Sequence, residues 1–131
     1  MRRLSVLGLV LTIACPGSLW AKSEFDVMYD ACINESGPIN NSVVYMCSER
    51  ASQQAKDEIN RRYVSVYAKL KKQGKEEADK LENAQKGWLK YRNNYCELKG
   101  LYVGSPMYAY CPMRMNISRA LELRTLDENI Q

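Results

Sequence analysis

The sequence predicts an all-α fold, a small antiparallel bundle of about four helices stapled by disulfides. Three observations carry that expectation. Apolar residues recur at steps of three and four over two long stretches, the period of a helix face. No stretch alternates apolar and polar residues in the way a half-buried strand does. Four cysteines, Cys32, Cys47, Cys96 and Cys111, fall into two pairs whose members stand 15 residues apart.

The chain opens with a leader, not with the bundle. Arg2 and Arg3 form a basic start, Leu4 to Ala14 an apolar run, and Pro16, Gly17 and Ser18 a turn before Ala21. This is the layout of a secretory signal over residues 1–21, and the run is too short to span a bilayer. Leu19 makes cleavage after Ala21 imperfect. The string Thr12-Ile13-Ala14-Cys15 is the alternative, a lipid anchor at Cys15. A single domain over 22–131 is expected to follow. The leader holds two of the 19 basic residues and none of the 15 acidic ones, so the remainder carries a net charge of +2. That is too mild, and too interleaved in sign, to argue for nucleic acid or a membrane surface.

Ser23 and Asp26 form a capping box for a short first helix, with Phe25, Met28, Tyr29 and Cys32 on one face. Asn34 to Asn41 is turn chemistry around Gly37 and Pro38. Ser42 is the expected cap of a long second helix, whose stripe runs Val44, Cys47, Ala51, Ala55, Ile59, Tyr63, Val66, Leu70. Its two alanines predict close approach of another helix. Gly74, among lysines and acids without apolar cover, is the natural break. A third helix is expected from about Lys75 to Leu98. On it Leu81, Gln85, Trp88, Arg92 and Tyr95 share a face. Tyr63, Trp88 and Tyr95 read as core. Gln85 and Arg92 read as a structural polar network with Asp57 and Asn60 of the second helix, because a buried arginine needs partners. Glycines and prolines between Lys99 and Pro112 predict a loop carrying Tyr102, Gly104, Ser105, Tyr108 and Tyr110. Pro112 suits the first turn of a fourth helix, with Met113, Ile117 and Leu121 inward and a fraying polar tail after Leu126.

An even set of cysteines behind an export leader argues for two disulfides. The matched spacing selects Cys32–Cys47 and Cys96–Cys111, each across one interhelical connection. The alternative, free thiols, requires the leader to be something else. A bridged loop of this size contributes roughly 3 kcal/mol through the unfolded state.

The chain contains no histidine. That removes the usual general base, the Ser-His and Cys-His pairs and most zinc sites. The cysteines lack metal-ligand spacing, Gly100 and Gly104 are too isolated for a phosphate loop, and Glu76, Glu77, Asp79 and Glu82 sit in the most soluble stretch. No catalytic residue, metal or cofactor is expected; the chain reads as a binder. Its candidate partner-binding element is the tyrosine-bearing loop, pinned at both ends if Cys96 and Cys111 are bridged; the alternative is a loop folded back to cover the end of the bundle.

Two strings complete the reading. Ala55 to Tyr63 contains Asp57, Ile59 and Asn60, and Ala84-Gln85, Trp88, Tyr91-Arg92 and Cys96 follow, with Gly104-Ser105 and Cys111 behind them. Over Cys32 to Leu123 the chain resembles the bacterial exported-domain family named after the LprI lysozyme inhibitor. Arg119 and Leu123 fit its pattern, whereas Asn116 stands where the family often has threonine. The resemblance implies a periplasmic or secreted helical domain with paired cysteines and, in some members, inhibition of lysozyme. The expected partner is lysozyme or another peptidoglycan hydrolase. The alternatives are an immunity or accessory protein for a secreted toxin, and a structural envelope domain without inhibitory activity.

Overall fold

A computed structural model describes residues 22–131. The signal expected over residues 1–21 and its alternative, a lipid anchor at Cys15, lie outside these residues. The described chain forms helices α1 (Glu24–Glu35), α2 (Asn41–Gln73), α3 (Lys75–Val103) and α4 (Met107–Asn129), with no strand.

The capping box at the start of α1 forms as expected. The Ser23 hydroxyl accepts from the Asp26 amide, and the Asp26 carboxylate accepts from the Ser23 amide, each at 3.2 Å. At α2 the cap is Asn40 rather than Ser42. Asn40 has extended backbone and its side chain accepts from the Val43 amide at 3.1 Å, which leaves Ser42 inside the first turn. The α2 stripe is realised: Cys47, Ala51, Ala55, Ile59 and Val66 are buried, with Tyr63 and Leu70 half-buried beside them.

Helices adjacent in sequence run antiparallel. Two reversals, at Gly74 and at 104–106, therefore leave α2 and α4 parallel, and these two share the most extensive interface. Its register is marked by Ser52 near Asn116, Glu58 near Arg124 and Ser65 near Asp127. Ala51 and Ala55 of α2 and Ala109 and Ala120 of α4 are fully buried, which fits the close approach that alanines permit. Met113, Ile117, Leu123, Leu81 and Phe25 complete the core.

The segment between α3 and α4 corrects the sequence reading. Lys99 to Tyr110 is mostly helix: α3 continues through Gly100 to Val103, and α4 begins five residues before Pro112. Only Gly104 to Pro106 turns, with Gly104 at φ 135°. Gly100 is not a helix breaker here. The Tyr108 ring of α4 packs onto it, and a Cβ at this position would lie 2.3 Å from that ring. Pro112 lies inside α4 rather than in its first turn, so it removes one i→i−4 hydrogen bond and crowds the carbonyl of Tyr108. The tail does not fray after Leu126, because Asp127 is buried and fully partnered.

Tyr95 is not core; it is 40% exposed and stacks on Tyr91. Residues seven apart on a straight helix drift by about 20° per step. Leu81 is 6% exposed, Trp88 half-buried, Tyr95 40% and Tyr102 83%, so the seven-residue row turns steadily out of the core. Asp57 is likewise outside. It stands two residues from both Ala55 and Ile59, about 200° round the helix from each, and its partner is the surface residue Gln53. Asn60 is also exposed.

Candidate interaction surface

Both disulfides form with the expected pairing and staple the same end of the bundle. Cys32–Cys47 joins the C-terminal turn of α1 to the N-terminal turns of α2, and Cys96–Cys111 joins the end of α3 to the start of α4. Three of the sulfur-bearing residues lie on helices that meet around the Gly104–Pro106 turn. That turn is tied internally by Met107 N–H to Gly104 O at 3.0 Å and Tyr110 N–H to Pro106 O at 2.8 Å. It is tied to α2 by Asn41, whose side-chain amide donates to the Ser105 hydroxyl at 3.3 Å.

What this end shows to water is unusual for so small a surface. Tyr102 is 83% exposed, and Tyr45, Met46, Val103 and Tyr108 are each about half exposed or more. Asn41, Ser42, Tyr45, Ser105 and Tyr108 line a shallow, open depression of about 370 Å³. Its lining contains no charged side chain. Of the five residues expected on the loop, Tyr102, Ser105 and Tyr108 are exposed here, and Gly104 supplies the turn. Tyr110 instead faces inward and meets Tyr29 edge-on, ring centroids 5.7 Å apart. Asn41, Ser42, Tyr45 and Met46, which the sequence reading did not single out, come from α2. They lie in the first turns of α2, beside the α3–α4 turn that Asn41 contacts through Ser105.

Gln85 and Arg92 do join a polar network, but across α4 rather than with Asp57 and Asn60. Arg92 donates to Asn116 at 2.8 Å, and Asn116, wholly buried, donates to Ser52 at 2.8 Å. Gln85 accepts from Arg119 at 3.0 Å. The two guanidiniums lie over the Trp88 ring, at 5.1 and 5.7 Å from its centroid. Burial pushes the Arg92 pKa below its ordinary value. Trp88 is thus a half-buried joint between α3 and α4.

The opposite half is held by charge. Glu58, 2% exposed, accepts from Arg62 at 2.8 Å and Arg124 at 3.0 Å, and also pairs with Arg61. Arg124 extends this cluster to Glu24 on α1. Asp127 accepts from Ser65 at 2.7 Å and Arg62 at 2.9 Å and pairs with Lys69 at 3.0 Å. The Ser65 hydroxyl, then Arg62 and Lys69, hold its carboxyl down at about 2. The buried carboxylates Glu58 and Asp127 are thus each paired with more than one cation. Among the described residues, no group of three His, Cys, Asp or Glu side chains is placed to hold a metal ion. No described helix is long and apolar enough to cross a membrane.

A family model described as lysozyme inhibitor LprI matches residues 32–123. The match spans both disulfides, all of α2 and α3 and most of α4. No curated protein and no solved structure matches the chain. With that much of its length matched, and with the helices and bridges in place, the chain belongs to the LprI lysozyme inhibitor family.

Proposed function

We propose that the protein is an exported binder of the bacterial cell envelope that inhibits lysozyme or a related peptidoglycan hydrolase, without turnover, by seating its stapled end in the enzyme's cleft. The family supports the target class. The observation that carries the choice of surface is the exposed Tyr45, Tyr102, Tyr108 and Ser105 group, fixed by two disulfides at one pole of the bundle. Tyrosines with small polar neighbours supply contact area and hydrogen bonding at low entropic cost, and a bridged end has little freedom left to lose on binding. The uncharged lining gives shape-led recognition, in which salt changes the association rate little. The two disulfides fit an oxidising compartment, as export requires.

A muramidase assay tests this. The oxidised protein is titrated into lysozymes of several structural types. Saturable inhibition of at least one type at micromolar protein is expected. Full activity of every type at micromolar excess overturns the reading.

A further inference from the structure

The outward face of α3 carries a seam that none of the described residues covers. Ala84, Gly87, Tyr91, Asn94, Leu98 and Leu101 step by three and four along it, and all six are exposed. Gly87, Tyr91, Asn94 and Leu98, with Lys90 and Tyr95, line an open and largely apolar groove of about 380 Å³. The seam extends roughly 26 Å along the helix.

We propose that this seam pairs with a second copy of itself, antiparallel, about a two-fold axis between Tyr91 and Asn94. In the register that places Tyr91 opposite Asn94 of the other copy, Gly87 falls opposite Leu98 and Ala84 opposite Leu101. Each large side chain then meets a small or polar one. Nothing lies within 4 Å of a Cβ built on Gly87, so the gap is open to receive Leu98. The same register carries the flanks with it. Lys90 and Glu97 lie on one edge of the seam, and each faces its opposite charge across the axis. Tyr95, already stacked on Tyr91 with centroids 5.5 Å apart, lies on the other edge. One register thus satisfies steric and charge matching together, and self-matching is what a two-fold interface requires. The occupant is therefore a second copy rather than an unrelated helix. A single-helix seam falls short of the ~800 Å² per partner of a standard stable interface, so the dimer is weak and reversible.

Sedimentation equilibrium of the oxidised protein between about 10 μM and about 1 mM is the test, since weak interfaces of this size associate in that range. A monomer–dimer equilibrium is expected. Leu98→Asp should remain monomeric throughout with an unchanged helical circular dichroism spectrum. Lys90→Glu should weaken dimerisation about tenfold, and adding Glu97→Lys to it should restore the original constant. A protein monomeric at every concentration overturns the proposal. So does a dimer indifferent to Leu98→Asp, or a charge-swapped double variant no tighter than Lys90→Glu alone.

Discussion

The two ends of this bundle are built by different chemistry. At one end, two covalent bridges and a three-residue turn bring four helix termini together. The depression at its surface is lined by tyrosines and small polar residues, with Met46, Tyr102 and Val103 exposed at the same end. In the other half, Glu58 and Asp127 are sunk among arginines, a lysine and a serine hydroxyl, and both carboxylates are paired within the same chain. The comparison separates holding from offering. The buried carboxylates of the ion-paired half are satisfied internally. The bridged end is held chiefly through its sulfurs, while Tyr45 and Tyr102 face water and remain available to a partner.

The sharpest way to break that contrast is to cut a bridge. Cys96→Ser with Cys111→Ser should cost roughly 3 kcal/mol, read from urea unfolding, as for other bridged loops of this size. It should also loosen the stapled end selectively, seen as faster amide exchange around 100–110 than around Glu58. Glu58→Ala attacks the other half. It should cost about 2–3 kcal/mol, below the 3–5 of a wholly buried pair, because Arg62 and Arg124 still reach water at about a quarter exposure. Inhibition measured on the fraction still folded should be unchanged. Gly100→Ala drives a methyl into the Tyr108 ring and should cost about 1–3 kcal/mol by overpacking, readable as a lowered Tm.

Acid should act on the ion-paired half first. The Asp127 carboxyl titrates at about 2 in the fold, below its value of about 4 in an unfolded chain. The unfolded chain therefore takes up the proton first. The stabilisation is complete above about pH 4 and is lost as pH falls toward about 2. Glu24, held low chiefly by its hydrogen bond to Arg124, adds in the same direction. Asp127→Asn should flatten the fall in Tm across that range. Equal steepness in the variant would remove Asp127 from the account.

The sequence made local features legible and long-range ones opaque. The Ser23–Asp26 box, the α2 stripe and the cysteine pairing rest on spacings of three, four and fifteen residues, and each appears as expected. Gly100 could not be read, because its reason is a tyrosine on the next helix. Tyr95 was misplaced because a seven-residue row slides off the core face of a straight helix. Asp57 and Asn60 were drawn in by nearness along the chain, whereas Ser52 and Glu58 hold the inward angles. A signal for these was present: Glu58 lies three residues after Ala55, and Asn116 three after Met113, both at core spacing. Their partners are set by the parallel register of α2 against α4, which no single helix encodes. The patch was half legible for the same reason, its tyrosines from the α3–α4 segment visible and its α2 contribution not.

The central claim is that the bridged end faces the target, and one titration tests it most directly. Tyr45→Ala combined with Ser105→Arg alters two exposed positions without touching the core. Inhibition of the responsive lysozyme by this variant should be at least tenfold weaker than by the unaltered protein, a loss of about 1.4 kcal/mol, with Tm unchanged. Equal inhibition by the two proteins would contradict the claim.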